Sequence, residues 1–290
     1  MARRSRKRKA EKSGLPGALA WALLGLFLLL TLLTLLKIFR PPAPLSVPSP
    51  APRPSPPHTS PSRSSPRPRA LPRVALIIDD MGQRPSLERK FFALGLPLNF
   101  SFLPKAPFTP RLAREAHQRG FTILVHLPME AENGASPGPG ALLVSMSEKE
   151  IRYRTRYLLS LVPFAEGVNQ HMGSLFSQDP LRMNWVMQEI KNKGMFFVDS
   201  KTTPHSVAPF VAEYLKIPFA QRDIFLDNSF SKEALERELK RMLQEAQRKG
   251  RVVVIAHPHP QTLEFLRRHR RLLLSKIRLV SIKELVEVPR

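Results

Sequence analysis

A chain of 290 residues with a formal charge of +23 and no cysteine is constrained before any motif is read. It has no disulfide, thiolate ligand or cysteine nucleophile, so a metal site must draw on His, Asp and Glu. The charge does not point to nucleic acid: 14 of the 46 Lys and Arg, against one of the 23 acids, lie in residues 1–73, and no basic stripe is interleaved with aromatics.

Residues 1–12 carry seven basic side chains and one acid, and from Ser13 to Leu36 nothing is charged. About 20 apolar residues suffice to cross a hydrocarbon core of about 30 Å. A cleaved signal peptide would have a shorter apolar stretch and a small-x-small site, whereas "KIFRPPAP" follows here. We therefore expect a basic cytoplasmic segment over 1–12 and an uncleaved transmembrane anchor over 13–39. Basic flanks stay inside, which sends the remainder outward. In a bacterium this is a single-pass inner-membrane protein with a periplasmic C-terminal domain. Residues 41–72 contain 13 prolines. Such a segment buries no core, and 40–73 reads as a disordered, extended linker.

At Val74 the pattern changes. "VALII" reads as a strand, "SLERKFFALG" as a helix, "LNFSFLP" as a strand, and "PRLAREAHQRG" as a helix ended by Gly120. "FTILVH" is a strand, followed by a Gly/Pro-rich loop from Asn133 to Gly140. Ser147, with Glu150 three residues on, opens the next helix as a capping box. "GVNQH", "MFFVDS", "IPFAQ", "RVVVIAH" and "IRLVSI" read as further strands, with helical segments between them and a short helix at the end. Seven or eight β-α units in near-strict alternation, with continuous apolar strands, imply a parallel sheet covered by helices. The 217 residues from Val74 suit an α/β fold of the (β/α) barrel type, distorted or incomplete, over 74–290. An open doubly wound sheet is the alternative, though no phosphate-binding glycine fingerprint follows the first strand.

Polar residues collect where apolar strands end. Asp79 and Asp80 follow "VALII"; His126 ends "FTILV", with Glu130 four residues on; Asn169 and His171 lie in "GVNQHMGS". Asp199, Ser200 and Lys201 follow "MFFV", and His257 and His259 follow "VVVIA". In parallel α/β folds all strand C-termini share one side, where active sites are built. Other polar residues read more plainly: Asp179 before Pro180 as a helix cap, His117 and His269 as solvated, His205 as a loop residue. The set of acids and imidazoles suits a hydrolytic divalent metal, most naturally zinc. Two adjacent acids do not both ionise cheaply without a cation. Because neighbouring strand residues point to opposite faces, we expect one to ligate and the other to stay free as a base.

From Val74 onward the chain resembles the divergent polysaccharide deacetylases, a remote branch of the NodB-type carbohydrate esterases. The carriers are "LIIDDMG", "HLPME", "GVNQHMGS", "FFVDSKT", "RDIFLDN" and "VIAHPHPQTL". The resemblance implies Asp79 as base and Asp80 as metal ligand. The family's His-x-x-x-His pair reads His126 to Glu130 here, so the ligand beside His126 is Glu130 or His171. The Arg-Pro motif that supports the base is not visible. The late Leu-x-His motif corresponds to "IAH" and makes His257 the catalytic acid. Asn169, Asp199, Lys201 and His259 are expected on the substrate side, with Asp199 alternatively orienting His257. The implied protein is a membrane-anchored, zinc-dependent hydrolase that removes acetyl groups from an amino-sugar polysaccharide of the cell envelope. A glycan-binding or interaction module without strong catalysis, and an envelope metallohydrolase acting on another bond, are the competing readings.

Overall fold

The computed structural model describes residues 29–32, 34 and 70–289. The chain divides into two units, residues 1–65 and 66–290. In the first, residues 29–32 and 34 are helical. The expected basic segment and nearly all of the expected anchor and linker lie outside the described residues. Among the described residues no helix is long and apolar enough to cross a membrane.

The second unit alternates strand and helix. In order it runs β1 (Arg73–Met81), α1 (Pro85–Phe92), β2 (Asn99–Phe102), α2 (Thr109–Gln118), β3 (Thr122–Met129) and α3 (Glu148–Ser160). It continues with β4 (Gly167–Met172), α4 (Pro180–Asn192), β5 (Phe196–Asp199), α5 (Ala208–Leu215) and β6 (Phe219–Gln221). Last come β7 (Ile224–Phe225), α6 (Lys232–Lys249), β8 (Arg251–Ala256), α7 (Pro260–Lys276) and β9 (Arg278–Leu279). The sequence-expected caps form: Ser147 and Glu150 make a capping box, and Asp179 accepts from the N–H of Arg182 ahead of α4. Two expectations at the C-terminal end shrink. The last strand pairs over two residues, and the terminal helix is a 3₁₀ turn, Ile282–Glu284.

The sheet is parallel in the order β6-β5-β4-β3-β2-β1-β8-β7, with β9 beside β1. It curls into a distorted (β/α) barrel that does not close, since β6 and β7 are not hydrogen-bonded to each other. Instead the C-terminal segment seals the outer edge of β6, where Phe219 and Glu287 exchange both backbone hydrogen bonds. The strand order proceeds around the sheet in one direction without the reversal that defines a doubly wound sheet, which excludes that alternative.

Strand alternation divides the core in two. Val74, Leu76 and Ile78 of β1 face the helices in the larger cluster, which includes Phe100 packed edge-on between Phe92 and Phe121. Ala75 and Ile77, with Leu124, Val198, Val253 and Ile255, fill the barrel interior. Gly167 belongs to the same inward row, and a Cβ there would lie 2.1 Å from the Phe196 ring, so the ring occupies the space a side chain would need. Asn99 stitches the floor shut: its Nδ2 donates to the carbonyls of Leu76 and Val280, and its Oδ1 accepts from Ile282 N. Paired residues of parallel strands share a face. Ile77 pairs with Ile255, Leu124 with Gly167 and His126 with Asn169, so the inward rows end in Asp79, His257, His126 and Asn169. The barrel is thus apolar at its floor and polar at its C-terminal mouth.

Candidate metal centre

The two acids that end β1 do not point to opposite faces. Asp80 sits in the left-handed region at φ 54°, where the register between β1 and β2 slips between Ile78 and Met81. Such a bulge re-aims a side chain, and Asp tolerates this conformation better than branched residues. Both carboxylates therefore reach the barrel mouth. Gly82, at φ 107°, completes the turn, and a Cβ there would fall 2.1 Å from Thr109 Oγ1. Glu88, wholly buried on α1, pins the loop by accepting from the N–H groups of Gly82 (2.7 Å), Gln83 (2.9 Å) and Arg84 (2.5 Å). Glu88→Ala leaves these donors without their acceptor, at about 1–3 kcal/mol per buried group. We expect urea unfolding to show a loss of about 2–5 kcal/mol, far above the cost of removing an exposed glutamate.

Asp80, His126 and His171 converge from β1, β3 and β4. Asp80 Oδ1 lies 2.9 Å from His171 Nδ1 and 3.2 Å from His126 Nε2, and the two ring nitrogens are 3.1 Å apart. Tetrahedral ligands at about 2.0–2.1 Å from an ion stand about 3.3 Å from one another, so this triangle fits one face of such a shell. Asp80 Oδ1 is buried, and neither ring nitrogen is aligned to hydrogen-bond it at these distances, an arrangement that suits an oxygen held for a cation. The donor set, two imidazoles and a carboxylate, can hold a divalent ion with coordination positions left open.

Burial opposes ionisation of Asp80, but the flanking imidazoles of His126 and His171 outweigh it and hold the carboxyl well below its usual range. Burial likewise works against a charged His126, yet the carboxylates of Asp79 and Asp80 raise its pKa. Asp79 behaves differently. Burial lifts its carboxyl above the ordinary value, against the pull of His126, His257 and Asn169. Its oxygens accept from Asn169 Nδ2 at 2.9 and 3.0 Å, and one lies 3.6 Å from His126 Nε2.

His257, at the tip of β8 next to β1, is held by Asp227. The His257 N–H donates to Asp227 Oδ2 (2.7 Å) and Nδ1 lies 2.9 Å from Oδ1, while Thr262 Oγ1 donates to Oδ2 (2.7 Å). Burial alone would lower the His257 pKa; the Asp227 carboxylate, with Asp79 and Asp80 further off, raises it to about 9. The other ring nitrogen stays free for the mouth.

The remaining expected site residues fall elsewhere. Glu130 stands outside the triad, its carboxylate accepting from Val144 N at 2.6 Å. Asp199 is wholly buried and receives Gln170 Nε2, Gln221 Nε2 and Lys201 N; it neither orients His257 nor meets the cleft. Asp227 takes the orienting role. It lies in "RDIFLDN", just past β7, and only the pairing of β7 with β8 brings it to His257. Asn169 is buried beneath the cleft rather than lining it for substrate. Lys201 is exposed at the β5 tip at φ 49°. His259 precedes α7 and packs on the Phe230 ring (4.2 Å). His205 is exposed. His269 is not solvated: Nδ1 lies 2.9 Å from the Phe265 carbonyl and Nε2 3.1 Å from Glu236. His117 stacks on Phe164. The neutral amide of Asn169 holds Asp79. Arg222, its pKa lowered by burial to about 10, lies over the Phe225 ring and bonds the carbonyls of Ser200 and Lys201.

A groove of about 310 Å³ opens beside His171, walled by Leu103, Pro104, Pro107, Pro128 and the 136–139 loop. A larger cavity of about 770 Å³ lies at the seam between β6 and β8, and none of the candidate residues line it.

Residues 76–286 match the divergent polysaccharide deacetylase family. An uncharacterized protein of Haemophilus influenzae is 32% identical over 213 residues, covering 73% of this chain and 76% of its own length. The uncharacterized protein YibQ of Escherichia coli K12 is 31% identical over 217 residues, covering 75% and 68%. Among solved structures, an uncharacterized protein from Agrobacterium tumefaciens C58 superposes with a TM-score of 0.71 at 22% identity, over 76% of this chain and 91% of that one. That likeness extends to the fold; the match over the whole of the barrel, tips included, says which family this is. The chain belongs to the divergent polysaccharide deacetylases.

Proposed function

We propose that the protein is a metal-dependent hydrolase that removes acyl groups, acetyl above all, from an amino-sugar polysaccharide of the cell envelope. The observation that carries this reading is the three-donor face of Asp80, His126 and His171, flanked by the buried Asp79 carboxylate held by Asn169 and by an imidazole locked to Asp227. Zinc is the ion whose preferred ligands and geometry this set matches. When bound, the cation polarises the acyl oxygen and acidifies water. Asp79, held by Asn169 and made more basic by burial, accepts the water proton. His257 donates from Nε2 to the departing amine or hydroxyl, while Asp227 fixes the ring and supports its charge. The groove beside His171 accommodates substrate beyond the reacting group. The uncharged stretch of residues 13–36 and the proline-rich segment that follows support tethering at a membrane, with the barrel facing the envelope polymer.

The direct test is acetate release from acetylated chito-oligosaccharides by the zinc-loaded full chain. A folded, metal-loaded protein that cleaves neither their amides nor acetyl esters would sink the proposal.

The state of His257 adds a pH signature. Its folded pKa of about 9 exceeds the unfolded value of about 6.5, so its stabilisation is full below pH 6.5 and lost as pH rises through 9. We expect kcat/KM to fall on the same upper limb. In Asp227→Asn the limb should move down toward the ordinary histidine range. The Tm difference from wild type should shrink over that window.

A further inference from the structure

Asn169 is wholly buried beneath the triad, on the inward row of β4. Its Nδ2 donates to both oxygens of Asp79, at 2.9 and 3.0 Å, and to Ser200 Oγ at 3.1 Å. Its Oδ1 accepts from Ser101 Oγ at 2.5 Å and lies 3.1 Å from His126 Nδ1. The hydroxyl proton of Ser200 is already committed to the Gln170 carbonyl, so toward Asn169 that oxygen only accepts. Two acceptors therefore decide which end of the carboxamide is the NH2. Turning it over would set an oxygen against the Asp79 carboxylate.

The consequence reaches the metal face. An amide oxygen cannot donate, so the proton shared with His126 belongs to Nδ1. A neutral imidazole carries one ring proton, and Nε2 is then a bare lone pair. Nε2 is the atom that stands 3.2 Å from Asp80 Oδ1 and 3.1 Å from His171 Nδ1. We infer that Asn169 is a positioning residue that serves both halves of the site at once: its oxygen sets the His126 tautomer required for metal ligation, and its NH2 aims Asp79 at the reacting water. Because the amide is neutral, it does this without placing a second cation beside the metal ligands. The catalytic use of the arrangement rests on the hydrolase reading above; the tautomer does not.

Two substitutions of similar size separate the roles. Asn169→Asp keeps an acceptor for His126 Nδ1–H and loses the donor to Asp79. Asn169→Leu loses both. Imidazole nitrogen-15 spectra of the metal-free protein, at a pH where His126 is neutral, should show the Nδ1–H form in wild type and in Asn169→Asp. The Nε2–H form should gain in Asn169→Leu. Zinc affinity, measured by chelator competition, should be no weaker than wild type in Asn169→Asp and about 10–100-fold weaker in Asn169→Leu. Both variants should lose kcat. An Nε2–H tautomer in the wild type overturns the inference whether or not a variant folds. So does a folded Asn169→Leu with unchanged tautomer and zinc affinity. A wild type with the Nδ1–H form that releases no acetate would count against the proposed hydrolase and for the role of Asn169 at the metal.

Discussion

His171→Ala should lose metal and hydrolysis together, while Glu130→Gln should keep both. Each of the three donors stands 2.9–3.2 Å from the other two, so removing one leaves two ligands on one side of the ion. Loss of an outer-shell partner already weakens metal sites by about 10–100-fold. Loss of a direct donor should exceed that, and dialysed His171→Ala should retain no stoichiometric zinc. Glu130 is spent elsewhere: its carboxylate caps Val144 N. Glu130→Gln still offers that N–H an oxygen, so zinc content and kcat should stay within a few-fold of wild type. Zinc retained in His171→Ala and lost in Glu130→Gln would reassign the third ligand and remove the geometric basis of the site.

Asp79→Asn should lower kcat by about 10²–10⁴-fold with zinc still bound, the range of a lost general base. A thousandfold drop corresponds to about 4 kcal/mol of transition-state stabilisation. The substituted amide keeps one oxygen for Asn169 Nδ2, so the fold and the His126 tautomer should persist, and KM should move little. Parallel loss of zinc would show that Asp79 is itself a ligand. Full activity would show that another group takes the proton. Together with the Asp227→Asn profile, these variants separate base, acid and metal: one loses rate with metal, one shifts the upper pH limb, one loses the metal.

Much of the barrel was legible because its signals are local. "VALII", "FTILV" and "VVVIA" are continuous apolar runs, and a strand covered on both faces has to be one. Ser147 with Glu150, and Asp179 before Pro180, mark helix starts through hydrogen bonds that reach no further than one turn. Strand-end placement of Asp79, Asp80, His126, Asn169, His171 and His257 also follows from the sequence, since those residues lie next to the runs that end there. Their gathering at one mouth required only that the strands be parallel.

What depended on long-range geometry was not legible. Alternation assigned Asp79 and Asp80 to opposite faces, and a bulge that brings Asp80 to φ 54° reversed this. Choosing between Glu130 and His171 turned on where the loop after β3 runs, because Glu130 N and its carboxylate bond to the 142–144 segment. Asp227 reaches His257 across 30 residues of chain, and Asn169 reaches Asp79 across 90. By itself the sequence determined the β-α order and the chemical types at the strand tips, all through contacts with near neighbours. Only the tertiary structure decided the open seam, which third donor joins the candidate metal face and which partners aim each acid and imidazole. Those choices are made by hydrogen bonds between strands far apart in the chain, and residue order does not encode their distances locally.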